Sequence, residues 1–198
     1  MAQLLGETTD ANNYSRQMNK VKEGYNRCWN GYAYRHPEYN DCTDDRVQAL
    51  AVVSGIAEQD KYPYIIDLFK KQFYASPYME KYVMEALFVM GEGKYAMERM
   101  QKRFAPMVNH PFYTTLFEGW DIGPNGFGGG TVNHAWSGGP LIVIARYVCG
   151  IEPLDAAYKT FRIAPDDTYL HQAAITIPTI AGEIRSSFES SDKDFKME

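Results

Sequence analysis

The residues best suited to chemistry fall in one stretch, HPFYTTLFEGWDIGPNGFGGGTVNHAW, at positions 110–136. It holds one acid flanked by aromatics, Phe117-Glu118-Gly119-Trp120, then a glycine run, then Asn133-His134-Ala135-Trp136. A carboxyl among aromatic rings loses solvation, so the pKa of Glu118 is expected to rise, which suits proton transfer near neutral pH. A surface glutamate in a loop is the alternative at this point. His134, beside a helix start, could cap the helix, pack, or bind a hydroxyl. Trp120 and Trp136 are, by residue type alone, either core side chains or rings for a sugar to lie against.

Other chemistries find less support. The glycine run 126–130 has no Lys-Ser/Thr after it, so it does not read as a phosphate loop. His36, His110, His134 and His171 are too scattered for a metal site, and no metal or cofactor is expected. Cys28, Cys42 and Cys149 match no zinc spacing and cannot all pair within one chain, so they read as small buried or free thiols. Glu7, Asp10, Asp41, Asp44 and Asp45 read as acids at helix starts, and no Ser-His-Asp arrangement can be argued.

Composition narrows the classes further. With 45% apolar and 23% charged residues the 198-residue chain is globular rather than disordered. A net charge of -5 with scattered Lys and Arg argues against nucleic acid. The longest apolar stretch, 140–145, is far too short to cross a membrane, and no basic segment followed by an apolar run reads as a signal peptide. In a fragment, that absence leaves the compartment open, a periplasmic or secreted bacterial parent included.

The loop has to be held by helices. Periodicity predicts six, over 10–28, 44–57, 61–74, 77–90, 94–104 and 135–149. The first, third and fifth are amphipathic. The second (VQALAVVSGIA), the fourth and the sixth (PLIVIARYVC) are apolar nearly all round and want cover on every side. Such alternation fits two concentric rings, outer helices wet on one face and inner helices covered on both, and a helical bundle is the alternative. Three outer–inner pairs would be half of a six-hairpin (α/α)6 barrel. The tail changes period. Strands are expected over 158–164, 170–177 and 180–188, with turns at 165–167 and 181–182, and the polar end 190–198 is expected to fray.

The motifs, in order, resemble those of bacterial α-L-rhamnosidases. Thr114-Thr115-Leu116-Phe117-Glu118-Gly119-Trp120 resembles that family's Thr-x-x-Trp-Glu-x-Trp, and Asn133-His134-Ala135-Trp136 its Asn-His-Ala-Trp before the last inner helix. Thr43-Asp44-Asp45-Arg46-Val47-Gln48-Ala49-Leu50-Ala51 is similar to an inner-helix start, and Tyr82-Val83-Met84-Glu85-Ala86-Leu87-Phe88 followed by Gly91 to the next inner helix. Gly150-Ile151-Glu152-Pro153, Phe161-Arg162-Ile163-Ala164-Pro165 and Pro178-Thr179-Ile180-Ala181-Gly182 resemble the exit into a C-terminal β domain.

The resemblance implies a six-hairpin helical barrel that hydrolyses terminal α-L-rhamnose with inversion. Residues 1–153 would be the C-terminal half of that barrel, and 154–198 the start of the β domain. It makes Glu118 the general base that activates water and His134 a rhamnose contact, with Trp120 and Trp136 near the sugar. Phe117 stands where the family has Trp, which keeps an aromatic wall and removes an indole N–H. An inverting glycosidase also needs a general acid. The family's acidic, Trp-containing motif near the start of the barrel has no counterpart here, so the chain alone should have little or no hydrolase activity. A catalytically incomplete sugar-binding homologue, a different glycosidase or a sugar epimerase are the alternatives. A carbohydrate partner is expected. Half a barrel would also leave apolar faces uncovered, so self-association, or a missing N-terminal half that covers them, is expected.

Overall fold

The computed structural model describes residues 1–121, 130–191 and 193–198. The glycine run expected not to bind phosphate lies outside them, except for Gly130. The described residues form two compact units, 1–74 and 75–198.

The first unit contains α1 (Thr8–Asn26), α2 (Asp45–Val53) and, after a 3-10 turn at Gln59–Lys61, α3 (Tyr62–Lys71). Helix α2 starts where the Asp44 carboxylate accepts the Arg46 N–H at 2.8 Å. It ends earlier than expected, because Ser54 turns its hydroxyl back onto the Leu50 carbonyl at 2.6 Å and Gly55 takes a left-handed φ of +71°. Ile65, Leu68 and Phe69 of α3 and Ala49, Ala51 and Val52 of α2 are buried, and each larger side chain contributes about 1.5–3 kcal/mol when fully covered. Gln48, also buried, clasps the backbone of Tyr34: its Oε1 accepts the Tyr34 N–H at 2.8 Å and its Nε2 donates to the Tyr34 carbonyl at 2.9 Å. The expectation that α2 is covered on every side fails here, since Leu50 is 45% and Val53 38% exposed. Helix α1 buries no residue at all.

The second unit begins with α4 (Pro77–Val89) and α5 (Gly93–Val108). Ser76 caps α4 by accepting the Met79 N–H, and Pro77 sits in the first turn, where its missing N–H costs nothing. Helix α5 runs past the expected end at 104 and takes Pro106 into its last turn. The sixth expected helix is one helical run with three hydrogen-bonding patterns. A 3-10 turn (Ala135–Gly138) leads into a short α6 (Gly139–Val143), followed by a π turn (Ile144–Val148) in which Cys149 N–H reaches the Ile144 carbonyl at 2.8 Å. Pro140 sits in the first turn of α6, where its missing N–H again costs nothing. Gly139 lets α6 approach α4: a Cβ there would lie 2.7 Å from that of Lys81.

Helix α4 packs against both α5 and α6. Met84, Met97, Met100, Phe104, Met107, Phe117, Val143 and Phe188 form the core they share with the sheet. Glu80 is fully buried between helices and is held by Arg99 (Nε to Oε1, 2.5 Å) and by Arg103.

The antiparallel β segment has five strands among the described residues where three were expected. β1 (Ile151–Pro153) pairs antiparallel with β2 (Phe161–Ile163), and β3 (Gln172–Thr179), β4 (Gly182–Ser190) and β5 (Phe195–Met197) form an antiparallel sheet in that order. The end expected to fray supplies β5, because its backbone closes on β4 through reciprocal Ser187–Glu198 bonds of 2.9 Å. Fold class is thus helical with a short antiparallel β segment.

Candidate active site

Glu118 lies where two extended segments of the second unit run side by side. Glu118 N–H donates to the Thr131 carbonyl at 2.9 Å, and His134 N–H donates to the Leu116 carbonyl at 2.9 Å. The Thr115 hydroxyl holds the Val132 carbonyl, and Ser137, fully buried, donates its hydroxyl to the Phe117 carbonyl at 2.5 Å. This ladder fixes residues 115–118 against 131–137. Alternation along an extended backbone sends neighbouring side chains opposite ways. Phe117 therefore enters the core, 2% exposed, with its ring against His110 and Tyr113, while Glu118 faces outward.

The carboxylate has specific partners. Its Oε2 accepts the Thr131 N–H at 3.0 Å and the Thr131 hydroxyl at 3.3 Å, and it lies 3.7 Å from His134 Nδ1. Thr131 Oγ1 is also 2.9 Å from His134 Nδ1. A threonine hydroxyl has one proton. With that proton directed at the carboxylate, Nδ1 must donate, which leaves Nε2 of a neutral imidazole as an acceptor. Oε1 makes no hydrogen bond among the described residues.

The expected rise in the Glu118 pKa is corrected. The Thr131 backbone N–H, first, and then its hydroxyl and His134 hold the carboxyl below its ordinary value, outweighing desolvation. The aromatic neighbours in sequence are not neighbours of the carboxylate in space. Phe117 points into the core, and Trp120 turns toward α5. The Trp120 indole N–H donates to the Ala75 carbonyl at 2.7 Å, its ring meets Phe104 edge-on at 5.0 Å, and the Arg103 guanidinium stands 4.1 Å from its centre.

Trp136 does come to Glu118. Its indole N–H reaches the Glu118 carbonyl at 3.3 Å, its ring lies 4.2 Å from that of His134 and 5.3 Å from Tyr78 of α4, and it is 39% exposed. The structure thus brings together Glu118, His134 and Trp136 and holds Trp120 apart by its own bonds. Thr131 and Tyr78 belong to the group but were not legible in the sequence. A threonine after a glycine run and a tyrosine in the first turn of a helix carry no signal of their own. No three His, Cys, Asp or Glu side chains gather as a metal cage among the described residues.

Helices followed by an antiparallel sheet, with a carboxylate and an imidazole on the loop before the last helical run, define the class of fold. Its particular kind is given by comparison with known proteins, and the resemblance to bacterial α-L-rhamnosidases stands. Residues 150–198 match the family model of the bacterial alpha-L-rhamnosidase C-terminal domain. Over 99% of its length the chain superposes on the GH78 family rhamnosidase of Bacillus sp. GL1, with a TM-score of 0.81 and 23% identity, covering 22% of that chain. It superposes equally over 99% of its length on the alpha-L-rhamnosidase from Dictyoglumus thermophilum, with a TM-score of 0.82 and 20% identity, covering 23% of that chain. The chain therefore spans less than a quarter of the length of these solved relatives. No curated protein matches the sequence.

Proposed function

We propose that this chain is part of the catalytic domain of an inverting glycoside hydrolase that removes terminal α-L-rhamnose, and that Glu118 is its general base. The observation that carries this reading is the state of the Glu118 carboxyl. It is kept ionised by Thr131 and His134, it is partly exposed, and it has one oxygen uncommitted among the described residues. A base must be unprotonated at the working pH and must have a lone pair to offer a water, and Glu118 meets both demands.

In this reading His134 binds a rhamnose hydroxyl through Nε2, and Trp136 borders the sugar. Trp120, which the resemblance places near the sugar, takes no sugar contact in this reading, because its ring and N–H are engaged by Phe104, Arg103 and the Ala75 carbonyl. The general acid belongs to a part of the parent outside this sequence, its carboxyl roughly 6.5–9.5 Å from that of Glu118 so that a water fits between base and sugar. Residues 1–153 would contribute three hairpins to an (α/α)6 barrel. Residues 154–198 would begin the β domain, in keeping with the family model matched over 150–198.

The test is Glu118→Gln in a full-length parent. Turnover of 4-nitrophenyl α-L-rhamnoside should fall by several orders of magnitude while rhamnose binding persists, and retained turnover rejects the base assignment. The 198-residue chain by itself should release no nitrophenol above background. Measurable hydrolysis by this chain would mean that it holds its own acid.

A further inference from the structure

The bonds around Glu118 leave one proton to be placed, and its place decides what His134 can bind. His134 Nδ1 lies 3.7 Å from Glu118 Oε2, too far for a direct hydrogen bond. The Thr131 hydroxyl stands between them, 3.3 Å from the carboxylate oxygen and 2.9 Å from Nδ1. The backbone of Thr131 is held to the same residue at both ends. Its N–H donates to Glu118 Oε2 at 3.0 Å, and its carbonyl accepts the Glu118 N–H at 2.9 Å. The imidazole is held as well. The His134 N–H donates to the Leu116 carbonyl at 2.9 Å, and the ring lies 4.2 Å from that of Trp136.

Two arrangements fit these distances. In the first, the hydroxyl donates to Glu118 and Nδ1–H donates to the hydroxyl. In the second, the hydroxyl donates to Nδ1, whose lone pair then faces the carboxylate 3.7 Å away. Electrostatics separates them. An ionised carboxylate is the stronger acceptor for the hydroxyl, and it attracts an N–H where it repels a lone pair. The 2.9 Å separation is also the ordinary length of an N–H···O bond. The first arrangement follows, with the proton of the neutral ring on Nδ1. Nε2 then carries a lone pair and makes no hydrogen bond among the described residues, on a side chain that is 33% exposed. Which ring nitrogen bears the proton is set by the partner of the other, and here that partner is Thr131.

We propose that Thr131 is a positioning residue that makes the neutral His134 ring a hydrogen-bond acceptor, so that the site selects a sugar by a hydroxyl able to donate to Nε2. An ether or a methylated hydroxyl offers only lone pairs there and is rejected. The substrate class narrows to residues whose hydroxyl at that position is free, neither alkylated nor carrying a further sugar. The identity of the sugar rests on the rhamnosidase reading above, whereas the acceptor role rests on Thr131.

The test reads the imidazole nitrogens of the full 198-residue chain by nitrogen nuclear magnetic resonance, at a pH where the ring is neutral. The His134 signals are assigned by their loss in His134→Asn. A free imidazole side chain in water favours the proton on Nε2, so an imposed Nδ1–H stands out. The expected result is a protonated Nδ1 and a bare Nε2 in the unmutated chain. Thr131→Val keeps the shape, removes the hydroxyl and should move the proton to Nε2. Thr131→Ser should return it to Nδ1, which separates the hydroxyl from packing. A proton on Nε2 in the unmutated chain, or one that stays on Nδ1 in Thr131→Val, would overturn the proposal.

The consequence for the ligand is read as binding to a full-length parent. The probes are methyl α-L-rhamnopyranosides in which each hydroxyl in turn is replaced by hydrogen or by fluorine. At one position both replacements should weaken binding, roughly tenfold for one lost hydrogen bond, because fluorine accepts and does not donate. In Thr131→Val the fluoro sugar at that position should bind better than the deoxy sugar. Fluoro sugars that match the unmodified glycoside at every position would overturn the acceptor role. Retained turnover in the Glu118→Gln parent would reject the base assignment and leave the tautomer result standing, so the two readings fail separately.

Discussion

At position 118 the sign of a pKa shift separates two chemical roles. A carboxyl pushed up holds its proton and acts as an acid, whereas one held down is a base or an electrostatic anchor. The Thr131 backbone N–H puts Glu118 in the second group. A nuclear magnetic resonance titration of the Glu118 carboxyl should therefore give a midpoint below the ordinary 4.5. Thr131→Val should move it partway back up, since the hydroxyl is lost and the backbone N–H stays. A midpoint above 4.5 in the unmutated chain would sink the base assignment. The sign carries over to stability. A depressed folded-state pKa makes the ionised carboxylate favour the folded loop, and that contribution is present above the unfolded value and lost as pH falls through the lowered one. In an active parent, the acidic limb of the pH–rate profile should likewise lie below the ordinary glutamate range.

Between elements, the joint that matters most is the one between α4 and α5. Glu80, fully buried on α4, receives Arg99 and Arg103 from α5, and Arg103 continues to the Ala75 carbonyl and the face of Trp120. The base of the loop that carries Glu118 is thus tied to a buried charge cluster. Removing one partner strands the others without water, so Glu80→Ala should cost about 3–5 kcal/mol of unfolding free energy in a urea titration. Replacing the pair together, Glu80→Met with Arg99→Leu, should recover part of that loss, because the fully buried guanidinium goes with the carboxylate it faced, while Arg103 keeps its bond to the Ala75 carbonyl. If Glu80→Ala costs under about 1 kcal/mol, the cluster is not holding the helices.

For the whole molecule, exposed apolar side chains are what most needs cover. Tyr14, Met18 and Val21 follow one face of α1 at 60% exposure or more, and Leu141 and Ile142 of α6 are 68% and 52% exposed. Rows like these normally meet a partner. The solved relatives are more than four times as long as the portion this chain covers, which supports a parent that supplies the cover. Without it, the 22.6 kDa chain should associate with itself, and light scattering at micromolar concentration should report a mass above the monomer. A clean monomer there would count against these faces being barrel-facing.

The sequence by itself determined what depends on neighbours along the chain. Helical periodicity and the ordered motifs around Glu118 and His134 were enough for five of the helical segments to within a few residues, the change to strands, and the resemblance now matched over 150–198. It missed Pro106 inside α5 and strand β5, where packing overrides local preference. Only the tertiary structure decided the environment of Glu118. Phe117 and Trp120 are adjacent in sequence and point elsewhere in space, while Thr131, thirteen positions away, supplies the hydrogen bonds that set its charge. Whether a carboxyl is pushed up or held down depends on which dipoles face it across the fold, and chain order does not encode that.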